Sequence, residues 1–252
     1  MSRRFTHPLQ ALEPIRTVDG SLCLMMLNPS GGLVGGDRLR TSVEIGRDAA
    51  AVLTTASATK AYRTLGDAAS HQTNVTLRDG AVLEYLPDHL IPHIGAALRQ
   101  SLCIEMAPRS RAIVYDAIAA GRVGRGERWT FREIAGEIII RRGARPVYVS
   151  RSRIIPKAQP LNQIGWMEEF NYLATVVVVA DASPIWSSLL NEIDMMLQAF
   201  DEINCGVSEI AAGGLVVRLM TRTASDLILA KRNIWAIARR AVLGLEAFDL
   251  RK

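Results

Sequence analysis

The sequence predicts a mostly-β protein, with many strands in stacked or sandwich-like sheets and two α-helices in the C-terminal third. Three observations predict it. Short stretches of apolar–polar alternation and β-branched residues recur through the first two thirds of the chain. Only two later segments carry apolar residues at helical spacing. Strands and helices do not alternate, which disfavours a doubly wound parallel sheet. The chain has 252 residues, 49% of them hydrophobic, enough to bury a substantial core. No internal repeat or low-complexity linker divides it, so residues 1–252 read as one domain.

In chain order, Thr41 to Ile45 sets Val43 and Ile45 against Ser42 and Glu44, the period of a half-buried strand. Val52 to Thr55 is a short β-prone stretch. His71 to Arg78 and Ala81 to Leu86 are joined by Asp79-Gly80, which predicts a β-hairpin. Ser101 to Met106, Ala112 to Tyr115, Trp129 to Arg141 and Val147 to Ile155 are further strands, with Gly143 and Pro146 punctuating the last pair. Thr175 to Val179 is a β-branched run short enough for a buried strand.

Ser183-Pro184 offers an N-cap and a first-turn proline. After it Trp186, Leu189, Leu190, Ile193, Met196, Leu197 and Phe200 recur at helical spacing. Val207 to Ile210 and Leu215 to Met220 read as strands. The second helix starts near Thr223-Ala-Ser-Asp226, which has capping-box spacing, and ends at Gly244. Leu227, Ile234, Trp235, Ile237, Ala238 and Val242 are among its apolar members.

Composition narrows the function classes. The net charge is +5, mostly from arginines spread over Arg109 to Arg111, Arg122 to Arg128, Arg141 to Arg153, Arg239 and Arg240. No basic arm interleaved with stacking aromatics is present, so nucleic acid is not the expected partner, and a basic nucleic-acid-binding protein stands only as an alternative; an acidic protein fits the charge at least as well. Cys23, Cys103 and Cys205 are odd in number and widely spaced, against a disulfide framework or a structural zinc site. Met1 to His7 is polar and basic, unlike a signal peptide. The longest apolar run, Ala174 to Ala180, is far below the ~20 residues that span a bilayer. A soluble, cytoplasmic protein without a membrane partner is expected.

Three segments stand out. Gly31, Gly32, Gly35 and Gly36 lead into Asp37 and Arg38. This is neither a P-loop, which ends in Gly-Lys-Ser/Thr, nor a dinucleotide fingerprint between strand and helix. It reads as an ordered loop needing positive φ or close backbone approach, with Asp37 and Arg38 either bracing it or facing a partner. Thr54-Thr-Ala-Ser-Ala-Thr-Lys-Ala-Tyr-Arg63 places Lys60, Tyr62 and Arg63 after small hydroxyl residues that include Thr55 and Thr59. A lysine near a tyrosine suits acid–base catalysis, which leaves an enzyme using Lys60 and Tyr62 as the alternative to a structural or contact role. Glu84 to His93 holds Asp88, His89 and His93, a ligand set for a borderline metal or else surface histidines in a turn. No paired carboxylates and no Ser-His-Asp or Cys-His arrangement can be nominated for catalysis.

Taken together and in order, these segments resemble the UreD (UreH) family of urease accessory proteins. Asn28-Pro-Ser-Gly-Gly-Leu-Val-Gly-Gly-Asp-Arg-Leu39 is similar to that family's hallmark segment. Thr54 to Arg63 resembles its Thr-x-Ala-Ala-Thr-Lys-x-Tyr-Arg, and Leu83-Glu-Tyr-Leu-Pro87 its Leu-Glu-Trp-Leu-Pro. Gly121-Arg122 and Gly126-Glu127 are similar to its Gly-Arg, Gly-Glu region. The resemblance implies a mostly-β protein with two helices and no activity of its own. It implies partners: UreF-type and UreG-type accessory proteins, the urease apoprotein subunits, and dimeric assembly through UreF.

The resemblance further implies help in delivering nickel to urease, with no tightly bound cofactor here and only transient nickel contact. Carboxylates, imidazoles or carbonyls along a wet path would carry such an ion, and Asp88, His89 and His93 are the nominated contacts. Gly31, Gly32, Gly35, Gly36, Asp37, Arg38, Thr55, Thr59, Lys60, Tyr62 and Arg63 form the partner-binding or structural motif. Asp88-His89 stands where the family usually has Gln-Glu, Tyr85 replaces a Trp, and the N-terminal part is shorter than is common in the family.

Overall fold

A computed structural model describes residues 1–181 and 186–250. The chain enters through β1 (Gln10–Ala11), β2 (Ile15–Arg16) and β3 (Leu22–Leu27). Three similar passes follow, each a long strand, a tight arch, and a return. The first is β4 (Arg38–Ile45), β5 (Ala50–Thr55) and β6 (Thr59–Ala61); the second is β7 (Ala69–Leu77), β8 (Val82–Leu86) and β9 (Leu90–Pro92). In the third, β10 (Ala97–Met106) returns as one long strand, β11 (Arg111–Ala119), which pairs with both β8 and β9. Then come β12 (Glu133–Arg142), β13 (Arg145–Ile154), β14 (Tyr172–Val179), α1 (Trp186–Gln198), β15 (Ile203–Glu209), β16 (Gly214–Thr221) and α2 (Ala224–Leu243).

Stacking the passes builds two sheets face to face. The larger runs β1-β3-β5-β8-β11-β14-β16-β15, and the smaller runs β13-β12-β10-β7-β4. Pairing is parallel from β3 to β11 and from β4 to β12, because each pass repeats the direction of the one before. Parallel sheets thus form without helical crossovers; the connection between parallel neighbours is a strand in the opposite sheet. The mostly-β architecture with both helices late in the chain is as the sequence predicts.

The predicted hairpin at Asp79-Gly80 does not form. β7 and β8 lie in different sheets, and Val75, Leu77, Ala81 and Leu83 face one another across the inter-sheet core. Gly80 takes the left-handed conformation a hairpin turn would also need, φ +68°, but here it turns the chain through an arch between layers. Asp48 (φ 54°) and Arg109 (φ 58°) hold the same place in the arches before and after it. The arches stack: Asp48 N–H donates to the Asp79 carbonyl at 3.0 Å, and Gly80 N–H to the Pro108 carbonyl at 3.1 Å. Arg109 reaches back to Asp79 at 2.5 Å and to Asp48 at 3.8 Å. The structural repeat that sequence comparison within the chain does not show is therefore real. It asks only for alternation and one left-handed position per pass.

The helices cover the outer face of the larger sheet. Trp186, Leu189, Ile193 and Leu197 of α1, with Leu227, Ala230, Ile234 and Trp235 of α2, join Ile113, Val176, Val178 and Val217 in one core. Because β14 is covered on both faces, Val176 to Val179 are all buried, a continuous apolar run rather than an alternating one. Thr223 caps α2, its hydroxyl oxygen accepting from Asp226 N–H at 3.1 Å, and Gly244 (φ 68°) closes it. The Ser183-Pro184 cap expected for α1 lies outside the described residues.

One buried cation ties this layer together. Arg239 is fully buried in α2; it donates to both carboxylate oxygens of Glu84 on β8, to Asp19, and to the Glu246 carbonyl. Trp235 N–H donates to the same Glu84 carboxylate, and Phe248 lies 4.8 Å under the Arg239 guanidinium.

Candidate functional site

The three unusual segments become neighbouring rungs at the end of the molecule opposite the arches. Leu33 bridges Ala61, and β6 pairs β9 in parallel, Thr59 with Leu90, Lys60 with Ile91, Ala61 with Pro92. Backbone bonds complete the stack: Leu33 N–H to the Lys60 carbonyl at 2.8 Å, Tyr62 N–H to Leu33 at 2.7 Å, His93 N–H to Ala61 at 2.8 Å. The fourth segment joins them, since a Cβ on Gly121 would lie 3.4 Å from the Pro92 carbonyl oxygen and 2.6 Å from that of Glu127. Arg122 and Glu127 are ion-paired there, at 2.7 Å from Nε.

The glycines answer to this stacking. A Cβ on Gly32 would meet the Lys60 carbonyl oxygen at 2.5 Å, and one on Gly35 would meet Thr64 Cγ2 at 2.7 Å. Gly31 and Gly36 have φ of +83° and +85°. Asp37 braces the loop, accepting from Val34 N–H at 2.9 Å while its carbonyl accepts from Ser70 N–H at 2.7 Å. Arg38 is exposed and points outward from the start of β4. Thr55 Oγ1 accepts from Asp88 N–H at 2.9 Å, and Thr59 N–H donates to the His89 carbonyl at 3.1 Å. Lys60 is exposed, and what ties it to the rungs is its backbone. Tyr62 meets the His93 ring edge-on at 4.8 Å, and Arg63 bridges Ala96. Val34, Leu65 and Ile94 are exposed on successive rungs of this corner, with Arg63 and Arg132 beside them.

Asp88, His89 and His93 do not come together. Asp88 lies 3.6 Å from Lys231, which also donates to the Leu86 and Pro87 carbonyls; His89 packs edge-on against Tyr172 at 5.4 Å; His93 packs against Tyr62. Burial, then the nearby Arg122, holds the His93 imidazole below its usual pKa. Among the described residues no group of three or more His, Cys, Asp or Glu is placed to hold a metal.

Polar chemistry collects instead between the sheets. The inward-facing positions form layers: apolar beside the arches, polar in the middle, apolar again beyond. Thr41, His71, Thr73 and Gln100 of the smaller sheet face Tyr85, Asp116 and Thr175 of the larger. A cavity of about 1040 Å³ reaches from the N-terminal segment to this layer, and another of about 300 Å³ continues toward Ser152 and Arg218. They meet at His71, Tyr85, Gln100 and Asp116. Asp116 opens onto the cavity yet is ringed by protein, and this desolvation raises its carboxyl pKa to about 6. Burial lowers His71, whose Nε2 lies 3.3 Å from the Thr41 hydroxyl, and raises Tyr85 to about 12.

Neither His71 nor Asp116 was singled out by sequence. The signal was there for Asp116: a carboxylate at an inward position of the otherwise apolar strand Ala112 to Ala119. His71 shows its role only once β7 is laid across from β8 and β11.

Comparison with known proteins agrees with the architecture of motifs. The family model described as "UreD urease accessory protein" matches residues 1–252. The chain is 30% identical to "Urease accessory protein UreD" of Herpetosiphon aurantiacus, over 96% of this chain and 86% of that protein. It is 32% identical to the protein of the same name from Mycolicibacterium gilvum, with 96% and 86% covered. The relative from Paenarthrobacter aurescens is also 32% identical, over 100% of this chain and 89% of its own length. With its glycine loop stacked on the Thr-Lys-Ala-Tyr-Arg segment, and that segment on the strand that follows Glu-Tyr-Leu-Pro, the chain belongs to the UreD family of urease accessory proteins.

Proposed function

We propose that this chain is a non-catalytic assembly factor that binds UreF-type and UreG-type accessory proteins and the urease apoprotein, and supports nickel delivery to urease in the cytoplasm. The observation that carries the reading is the polar layer between the sheets. Imidazole, carboxylate, hydroxyl and amide groups suit a borderline divalent ion, and spreading them along a cavity avoids the closed four-ligand cage that would retain it. A transit path must release its ion, so modest affinity is expected of it. His71 and Asp116 are its strongest donors, and Asp88, which lines the larger cavity, adds a carboxylate nearer the edge. His89 and His93 stand outside this path and serve the corner.

The stacked corner is the docking surface for the urease machinery. Exposed Val34, Leu65 and Ile94, flanked by Arg63 and Arg132, offer aliphatic contact with a basic rim, a composition suited to a protein interface. Dimeric assembly then follows from a UreF-type partner bridging two copies. Tagged chain co-expressed with the urease subunits and accessory proteins tests the binding: recovery of those proteins on the tag is expected, and recovery of none of them would overturn it. His71→Ala with Asp116→Ala is expected to lower the nickel content of urease several-fold while leaving that recovery intact. If instead the Asp88, His89 and His93 triple alanine variant lowers nickel and the His71 and Asp116 double variant does not, the path runs elsewhere.

A further inference from the structure

The outer face of the smaller sheet is open to solvent, since both helices pack on the larger one. Two rows of arginines cross it. Register aligns Arg38, Ser70, Arg99, Ala135 and Arg153 on successive strands, and beside them Arg40, Gln72, Ser101, Glu137 and Arg151. All five arginines are exposed. Arg153 is paired with Glu133 at 2.8 Å and Arg151 with Glu137 at 2.5 Å, while Arg38 and Arg40 make no ion pair among the described residues. The face thus keeps a positive excess, held on rigid strands rather than on a loop.

We propose that this face docks an acidic protein surface, a second contact region that adjoins the glycine corner at Arg38 and extends away from it; the proposal rests on the assembly-factor reading given above. Neighbouring strands stand about 4.8 Å apart, so Arg38, Arg99 and Arg153, each two strands from the next, repeat at about 10 Å. Two turns of an α-helix rise about 11 Å, so carboxylates seven residues apart along a partner helix laid across the strands meet this spacing. The intervening Ser70, Gln72, Ser101 and Ala135 are small or neutral and keep the face flat. Nucleic acid fits it less well. The rows hold no aromatic side chain on which a base could stack, and Glu133 and Glu137 would face the phosphates.

The test is the double charge reversal Arg40→Glu, Arg99→Glu in the full chain, two residues outside the glycine corner, with an unchanged circular dichroism spectrum confirming the fold. Wild type and variant are co-expressed with urease subunits and accessory proteins and recovered on a tag. A loss of at least ten-fold in one partner's recovery, with the wild-type contact weakening as salt rises, supports the proposal. Equal recovery by the variant overturns it and leaves the assembly-factor reading standing. Wild type that recovers nothing defeats that reading instead. The face is then judged by fluorescence anisotropy with a labelled helical peptide bearing glutamate at every seventh position, and with a duplex DNA of similar charge. No difference between wild type and variant for the peptide, or tighter binding of the DNA, overturns the proposal; a ten-fold weaker variant supports it.

Discussion

A methyl group added at Gly32 would stand 2.8 Å from Tyr62 Cε2 as well as against the Lys60 carbonyl. One rung would have to move away from the next. Overpacking of this kind costs about 1–3 kcal/mol, so Gly32→Ala should lower the melting temperature by several degrees. Gly46→Ala, where nothing lies within 4 Å, should leave it unchanged or slightly higher. Equal effects at the two sites would mean the rungs are not in contact. Arg239 poses the converse problem: removing it strands the Glu84 carboxylate in the core. Arg239→Met should cost about 3–5 kcal/mol in urea denaturation, with part regained on adding Glu84→Gln. Additive losses would argue against the pair.

Asp116 gives a pH signature. Its carboxyl keeps its proton up to about pH 6 in the fold, against about 3.9 in an unfolded chain. Between those values the folded state binds more protons, so ionising Asp116 removes stability as pH rises through the window. Asp116→Asn lacks that loss. Its melting temperature relative to wild type should therefore climb between pH 4 and pH 7 in chelator-treated protein, whereas parallel curves would place the carboxylate in ordinary solvent.

At the scale of elements, the arches and caps decide the path of the chain. Gly80→Ala forces a side chain into the left-handed region and against the Asp48 carboxylate, and should destabilise by about 1–2 kcal/mol or more. Thr223→Ala removes the α2 cap at about 1 kcal/mol. Both are read by thermal melting, and a neutral outcome at either would contradict the local geometry. The same elements explain what the sequence made legible. β4, β7 and β10 announce themselves by alternation, and α2 by its capping box and terminal glycine. β1, β2, β6 and β9 are two or three residues long, too short to carry a period, and β3 lies in a run, Leu22 to Leu27, that does not alternate. Asp79-Gly80 misled because a hairpin turn and an arch ask for the same left-handed residue; only the sheet each strand joins separates them. The candidate corner was legible because its segments are local. The inter-sheet cavity was not, because His71, Tyr85, Gln100 and Asp116 meet only when the second and third passes stack.

For the molecule as a whole, strands crossing between two sheets make one block in which three features stand out. The rungs of the corner, the polar layer inside and the arginine face outside all follow from the same parallel stacking, which sets every third element beside its predecessor. The most direct measurement is urease activation in a heterologous host carrying the urease subunits and the remaining accessory proteins, with and without this chain. Urease purified with the chain present should hold nickel and hydrolyse urea, while urease made without it should be folded but largely metal-free and inactive. Equal nickel content and equal activity in the two preparations would contradict the account.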